Sequence, residues 1–324
     1  MTPPVSFQAA LESGTFTVTA EVGPPRGADA DALRRKVSAL RGWVTAVNVT
    51  DNQSATVRMA SWAGSLAALG AGVPPIMQVT CRDRNRIALQ SDLLGASALG
   101  IPNVLVMTGD HPRFGDQPDA KPVFDLDSVQ LLWLARTMRD EKRLLSGRAL
   151  NSPPTFFLGA VENPFAPPLE FRAARLGKKV AAGAQFVQTQ YVFDLGIFAR
   201  WLGQVLDQGL HERCHILAGL GPILSARALD HLQHRVPGIY VPPDVARRLL
   251  AVPPAEIAAE GIRLCAETIA ALRQMPGVAG VHLMAPGSEH RIPEILELAG
   301  LAPAAPASTA SAACPDARDV ASAH

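Results

Sequence analysis

The sequence predicts an α/β protein with the fold of a (β/α)8 barrel, formed by residues 1–301 as a single domain and followed by a disordered tail over 302–324. Short apolar runs alternate with helical patterns eight times over about 290 residues. Such a barrel typically takes roughly 250 residues, which fits a chain of 324 residues. The main competitor, a doubly wound sheet, would be expected to carry a GxGxxG phosphate loop after its first strand, and the sequence has none there.

The first four strands are predicted from β-branched and apolar runs that stop at turn residues. The first run, TFTVTAEV, ends at Gly23-Pro24-Pro25, which is a strong signal for the end of a strand. Helices are predicted from apolar residues at helical spacing, such as Leu33, Val37 and Leu40, and from capping residues such as Asp127. These patterns predict strands over 15–22, 46–50, 76–81 and 103–108, and helices over 29–40, 57–69, 85–99 and 127–145.

The second half of the chain repeats the alternation. The run ILAGLGPI predicts the seventh strand, and the longest crossover, with three helical pieces, separates it from the eighth, VAGVHLM. The patterns predict strands over 155–161, 186–192, 216–223 and 278–284, and helices over 169–182, 195–206, 226–235, 243–250, 254–274 and 292–298.

Composition excludes several classes of protein. Apolar residues make up 48% and charged residues 18% of the chain, so it can bury a large core. The net charge is only +1, whereas a nucleic-acid binder normally carries a basic excess. No run of 18 apolar residues predicts a membrane span, and no signal peptide is evident. The four cysteines form no CxxC pair and lack zinc-ligand spacing, so we expect reduced thiols, no metal site and a cytoplasmic protein.

Small residues are frequent, with 26 Gly, 27 Pro and long Ala-rich stretches. Within 16–301 they follow the strand–helix pattern, where small residues allow helices to pack closely on a barrel. After Leu301 the same residue types show no periodicity and no apolar stripe, which predicts the disordered tail.

Polar residues stand where the predicted strands end, and in a (β/α)8 barrel those C-terminal ends carry the chemistry. They are Glu21, Asn48, Thr50, Asp51, Gln78, Thr80, Asp110, His111, Glu162, Asn163, Gln188, Gln190, Asp194 and His282. Because an unpaired buried carboxylate is costly, Glu21 and Asp110, beside Pro and Gly turns, are candidates for an acid–base pair. A helix cap or a salt bridge would explain either carboxylate, and a satisfied interior amide would explain Gln188.

Six motifs follow one another along the predicted barrel. They are Glu21-x-x-Pro24-Pro25-Arg26, Val49-Thr50, Gly109-Asp110, the loop and helix over 109–132, the block 178–194 with Thr189-Gln190 inside it, and the strand 280–284. In this order and at this spacing, from about residue 16 to residue 301, they resemble the methylenetetrahydrofolate reductase family in its bacterial flavin-dependent form.

The resemblance implies a reaction. In the family, NADH or NADPH reduces FAD, and reduced FAD passes a hydride to 5,10-methylenetetrahydrofolate to give 5-methyltetrahydrofolate, a step of one-carbon metabolism. Glu21 matches the catalytic acid that lets the five-membered ring of the substrate open. Asp110 matches an aspartate that contacts both flavin and folate, and Gln190 matches a glutamine that binds the pterin ring.

The resemblance also implies a cofactor site. Its flavin contacts match Thr50, Gln78, Gly109, Asp110, Ala160 and Lys179. Without the resemblance, Lys179 would be interpreted as an exposed helix lysine. Gln78 stands where many members have histidine, and Arg172 and Arg175 stand where some members have Asp and Asn. These departures leave open a shifted FAD pose, weak flavin binding, or direct reduction of folate by a nicotinamide cofactor.

Two further interpretations come from other classes of function. A barrel methyltransferase would bind methylfolate and hand the methyl group to a corrinoid protein, and pterin-binding barrels also place Asp and Asn at strand ends. A non-catalytic folate-binding subunit would keep the fold and lose the chemistry. The joint presence of Glu21, Asp110 and Gln190 favours the reductase. The sequence leaves open whether the chain forms a homo-oligomer and whether it works with an accessory subunit.

Overall fold

The chain folds as a closed barrel of eight parallel strands in sequential order, which confirms the predicted fold class. A computed structural model describes residues 6–236 and 238–301, and the tail predicted over 302–324 lies outside them. The strands are β1 (Thr17–Val22), β2 (Ala46–Val49), β3 (Pro75–Thr80), β4 (Asn103–Met107), β5 (Phe157–Glu162), β6 (Phe186–Tyr191), β7 (His215–Leu220) and β8 (Val278–Leu283). The barrel closes where β1 pairs with β8, with Thr19 opposite His282.

The helices surround the barrel. They are α1 (Phe7–Glu12), α2 (Ala30–Leu40), α3 (Ser61–Gly70), α4 (Arg86–Ala98), α5 (Ser128–Asp140), α6 (Arg172–Ala182), α7 (Leu195–Asp207), α8 (Ala226–His234), α9 (Pro243–Leu250), α10 (Ile257–Leu272) and α11 (Ile292–Leu298). None of these helices is both long and apolar enough to cross a membrane.

Two helices differ from their predicted bounds by four residues or more, and each of these differences has a local cause. Helix α3 begins at Ser61 instead of 57, because the preceding residues form a tight loop with Asn52, Ser54 and Ala55 at positive φ. Helix α5 ends at Asp140 instead of 145, because Lys142 turns the chain at φ 55° and the next residues fold back on themselves. Loop conformations of this kind leave little trace in apolar spacing.

Alternation along the strands separates two layers of core. Outward-facing side chains such as Val47, Val79 and Val106 pack with the surrounding helices in the large core cluster. Inward-facing apolar side chains such as Ile76 and Leu105 form a second cluster inside the barrel. Towards the C-terminal ends of the strands, polar side chains replace these interior apolar ones. The barrel interior is therefore apolar at its N-terminal end and polar at its C-terminal end.

Helix α1, which the sequence analysis did not predict, seals the N-terminal end of the barrel. Ser6 caps the helix by accepting a hydrogen bond from the Ala9 N–H. The Phe7 ring packs edge-on against Phe157 and Phe186, with ring centroids 5.7 Å and 5.0 Å away. A helix of six residues is too short for its periodicity to stand out in the sequence.

We expect Phe7→Ala to lower the free energy of unfolding by about 3 kcal/mol, because it removes a fully buried ring and leaves a cavity. Urea unfolding followed by circular dichroism measures the loss. Phe114→Ala is the matched control, since that ring is 61% exposed and its removal should change stability by less than about 0.5 kcal/mol. Equal effects of the two substitutions would show that α1 does not stabilise the barrel.

Candidate active site

Glu21 lies at the C-terminal end of β1 and is 9% exposed. Its Oε1 accepts a hydrogen bond from Gln53 Nε2 at 2.7 Å, and its Oε2 accepts a longer one from Gln78 Nε2 at 3.4 Å. Within the described residues, no cation lies within 4 Å of the carboxylate. Burial therefore raises the pKa of Glu21, and the hydrogen bonds from Gln78 and Gln53 only partly oppose that rise. A carboxyl in this environment can hold a proton closer to neutral pH than an exposed one.

Gln53 was not predicted as a site residue. Gln53 follows β2 in the loop of positive-φ residues described above, and its amide is half-buried against Glu21. The only available signal was the polar run Asp51-Asn52-Gln53 directly after a strand end. Gln78 was predicted as a cofactor contact, and in the structure its amide lies beside the Glu21 carboxylate.

The Gly109-Asp110 turn follows β4 and carries Asp110 to the exposed rim of the barrel. Gly109 has φ 88°, and a Cβ there would lie 3.0 Å from the Thr80 Cβ, so the turn requires glycine. The buried Arg82 guanidinium donates to the Asp110 carbonyl at 3.3 Å and is paired with Asp83. The backbone of the turn is thus held in place, while the Asp110 carboxylate stays open to solvent or ligand.

A second ion pair, with a buried carboxylate, supports the same side of the rim. The Asp51 carboxylate accepts hydrogen bonds from the Thr80 N–H and hydroxyl, each at 2.9 Å, and pairs with Arg84. The polar run after β2 is thereby tied to the end of β3. Asp51, a polar strand-end residue in the sequence, is structural.

Gln190 lies at the end of β6, where the pairing with β7 shifts register between Gln188 and Tyr191. The Thr189 hydroxyl accepts a hydrogen bond from the Gly219 N–H at 2.9 Å, which holds the irregularity in place. Irregular pairing of this kind re-aims side chains beside active sites. Gln190 is half-buried, and its Oε1 accepts from the Tyr191 N–H at 3.0 Å, so its amide NH2 is the group available to a ligand.

Tyr191 and Phe193 add an aromatic pair beside Gln190. Their rings stack with centroids 5.5 Å apart, and the Tyr191 hydroxyl donates to the Met284 carbonyl at 3.0 Å. Burial raises the pKa of Tyr191, and the negative charge of Glu21 adds to the rise. Gln188 of β6 donates a hydrogen bond to Thr19 of β1, two residues before Glu21, so the ends of β1 and β6 face the same part of the barrel interior.

A hydrogen-bonded layer crosses the barrel beneath Glu21. Gln188 donates to Asn48 Oδ1 at 3.0 Å and to the Thr19 hydroxyl at 3.1 Å, and Thr19 meets His282 Nδ1 at 3.0 Å. Burial lowers the pKa of His282 to about 3, so its ring is neutral. The interior-amide interpretation of Gln188 is confirmed, and this layer forms the floor of the site.

The residues predicted to contact flavin differ in what each can offer a ligand. Thr50 fits a ligand best, because its hydroxyl is buried and has no hydrogen-bond partner within the described residues. Ala160 is buried in the core layer between barrel and helices, so it can offer a ligand only its backbone. Lys179 is not an exposed helix lysine: its ammonium is buried against Glu162 Oε2 at 2.8 Å and the Val161 carbonyl at 2.5 Å.

Two arginines of α6 stand near the end of β5. Arg172 donates to the carbonyls of Ala166 and Pro167, each at 2.6 Å, and so braces the preceding loop. Arg175 is exposed, and within the described residues no carboxylate lies within 4 Å of its guanidinium. The Thr50 hydroxyl, which has no partner within the described residues, fits a polar group of a ligand at this rim, and the exposed Arg175 guanidinium fits an anionic group.

A separate small cavity of about 30 Å³ lies between the ends of β6 and β7 and helices α9 and α10. Its walls are apolar side chains such as Leu220, Ile223 and Leu249. Cys265 is the one titratable residue in its wall, and burial raises the pKa of that thiol to about 12. The lining of this cavity contains no charged side chain, whereas the rim of the barrel carries the carboxyl groups of Glu21 and Asp110.

Comparisons with known proteins identify the family to which the chain is similar. A family model described as methylenetetrahydrofolate reductase matches residues 6–300. A Caenorhabditis elegans protein named "Probable methylenetetrahydrofolate reductase (NADPH)" is 25% identical over 231 residues, which make up 71% of this chain and 33% of the relative. The chain thus spans about a third of the length of that curated relative.

The fold also matches a solved structure. An uncharacterised protein from Clostridium thermocellum, described as binding two copies of 5-methyl-5,6,7,8-tetrahydrofolic acid, superposes with a TM-score of 0.66 at 11% identity. The match covers 91% of this chain and 99% of that chain. At this identity the similarity is one of fold.

Proposed function

Because the chain belongs to the methylenetetrahydrofolate reductase family, we propose that it reduces 5,10-methylenetetrahydrofolate to 5-methyltetrahydrofolate, with NADH or NADPH as reductant and FAD as electron carrier. The observation that carries the proposal is the Glu21 carboxyl. It is buried at the C-terminal rim, unpaired with any cation of the described residues, and its pKa is raised by burial. The reaction needs a proton donor at this rim, where barrel enzymes place their chemistry.

Glu21 is proposed to protonate the departing nitrogen of the five-membered ring. Protonation lets the ring open to an iminium, whose methylene carbon then accepts a hydride. The exposed Asp110 carboxylate on the same rim supplies a negative charge that stabilises the cationic iminium. The free amide NH2 of Gln190 is suited to hydrogen-bond the pterin ring and orient the substrate.

FAD, when bound, would supply hydride transfer between the nicotinamide and the folate. Thr50, Gly109 and Asp110 would hold its ring end, and Arg175 its phosphates. Lys179, which the family resemblance places near the diphosphate, is engaged with Glu162, and we propose that its role is to stabilise the end of β5. We expect the protein purified with FAD to be yellow.

The proposal is tested by anaerobic incubation of the purified chain with FAD, methylenetetrahydrofolate and either NADH or NADPH. Chromatography should detect 5-methyltetrahydrofolate in proportion to the nicotinamide consumed. A folded protein that binds folate without turnover would instead be a binding subunit. Methyl transfer to a corrinoid protein without nicotinamide oxidation would identify a methyltransferase.

A further inference from the structure

We propose that Gln53 is a positioning residue, whose amide holds Oε1 of Glu21 so that Oε2 is the oxygen that carries and delivers the proton. The proposal rests on the function proposed above and assigns a role to a residue that the family motifs do not include. It follows from two independent features: the unequal hydrogen bonds of the carboxyl and the conformation of the loop that carries Gln53.

The two oxygens of Glu21 are held unequally. The Gln53 bond to Oε1, at 2.7 Å, is a strong contact, whereas the Gln78 bond to Oε2, at 3.4 Å, lies beyond the usual range. In the structure the Gln53 amide turns its NH2 to Oε1, and because an NH2 can only donate, Oε1 is the acceptor and the proton of the acid form resides on Oε2. At 3.4 Å, Gln78 is only a weak partner of Oε2, which leaves that oxygen able to carry the proton of the acid form.

The loop that presents Gln53 has a conformation that ordinary residues avoid. Asn52, Ser54 and Ala55 have φ of 49°, 55° and 53°, and none of them is glycine. Non-glycine residues in this region are strained and persist only when their surroundings enforce the conformation. Such residues cluster at functional sites, and here they surround the one side chain of the loop that bonds Glu21.

Contacts from the neighbouring rim loops enforce this conformation. Asn52 Oδ1 accepts from the Arg58 N–H at 2.9 Å, and the Arg58 guanidinium donates to the Pro24 carbonyl at 3.0 Å. Asp116 accepts from the Val57 N–H at 3.1 Å. The loop is therefore fixed from the β1 and β4 sides.

A further contact explains a glycine in the loop after β4. A Cβ on Gly115 would overlap the Ala55 carbonyl, so only glycine allows the two loops to approach this closely.

Within the described residues, the Gln53 side chain makes no other hydrogen bond than the one to Glu21. A merely structural glutamine would be expected to bond the loop itself.

The test is an infrared titration of the Glu21 carboxyl, with its C=O band assigned by its loss in Glu21→Gln. Hydrogen bonding from Gln53 lowers the pKa of Glu21, so Gln53→Met should move the midpoint of the titration to higher pH, by about one pH unit. The alkaline limb of the kcat/KM profile should move in the same direction, because the acid form is the active one. Gln117→Met, at an exposed site in the loop after β4, should move neither.

Gln53→Glu is a second test variant, in which the side chain keeps the length of glutamine. A second carboxylate beside Glu21 should also raise the midpoint, since like charges oppose ionisation. Gln78→Met should move it less than Gln53→Met. The proposal is overturned if Gln53→Met or Gln53→Glu folds and leaves the midpoint unchanged, or if only Gln78→Met shifts it.

The infrared titration does not require turnover, so it separates this proposal from the proposed function. If wild type forms no 5-methyltetrahydrofolate while the Gln53 variants shift the midpoint, the reductase assignment fails and the control of Glu21 by Gln53 stands. If wild type is active and the midpoint does not move, the positioning role fails and the reductase assignment stands.

Discussion

Glu21→Gln should lower the rate of 5-methyltetrahydrofolate formation by about 10²–10⁴-fold and leave the reduction of FAD by NADH or NADPH nearly unchanged. The amide has the shape of the carboxyl and keeps a hydrogen-bonding group beside Gln53, but it cannot deliver a proton to the folate nitrogen. Anaerobic stopped-flow absorbance of each half-reaction measures the two effects separately. Equal losses in both half-reactions would mean that Glu21 is structural.

The loss of activity in Glu21→Gln should occur without unfolding. The pKa of Glu21 is raised above 4.5, so the stability that this group contributes is present at acid pH and lost as pH rises through the raised pKa. A neutral amide avoids that loss, and the variant should be at least as stable as wild type at pH 7 and above. Glu170→Gln, at an exposed carboxylate in the loop after β5, is the control and should change neither rate.

Lys179→Met should lower the free energy of unfolding by about 3–5 kcal/mol. The side chains of Lys179 and Glu162 are 4% and 1% exposed and pair at 2.8 Å, so removing the ammonium leaves a buried carboxylate without its counter-ion. The Val161 carbonyl loses a donor at the same time. Urea unfolding measures the effect.

Two further variants show whether the loss of stability comes from the broken ion pair or from replacing a lysine in α6 by methionine. Lys178→Met changes the same residue type at the exposed neighbouring position of α6 and should cost less than about 0.5 kcal/mol. The double variant Lys179→Met/Glu162→Gln should recover much of the loss, because it removes the stranded charge and keeps an acceptor for the Asn163 N–H. A double variant less stable than Lys179→Met would contradict the assignment of a buried pair.

Most of the barrel could be predicted from sequence because each strand–helix unit leaves a local signal. β1 ends at a Gly-Pro-Pro turn, and α2 shows its buried stripe of Leu33, Val37 and Leu40. Helix α1 was not predicted, because it is stabilised by long-range contacts of Phe7 with Phe157 and Phe186. No pattern within six residues reveals a partner 150 positions away.

Site residues that lie at the end of a strand could be predicted from the sequence, and those that lie in a loop were harder to predict. Glu21 ends an apolar strand, so its carboxyl stands out in the sequence. Gln53 lies in a polar run, and only the positive-φ loop brings it to Glu21. Lys179 and Glu162 are 17 residues apart, and the pairing depends on how α6 packs against the end of β5.

The oxidative half-reaction tests the central claim most directly. Purified wild-type protein with FAD is reduced anaerobically with one equivalent of reductant and then mixed with 5,10-methylenetetrahydrofolate. Flavin absorbance should return, and one 5-methyltetrahydrofolate should form for each flavin oxidised. Flavin that stays reduced beside bound methylenetetrahydrofolate would contradict the assignment of this site as a folate reductase.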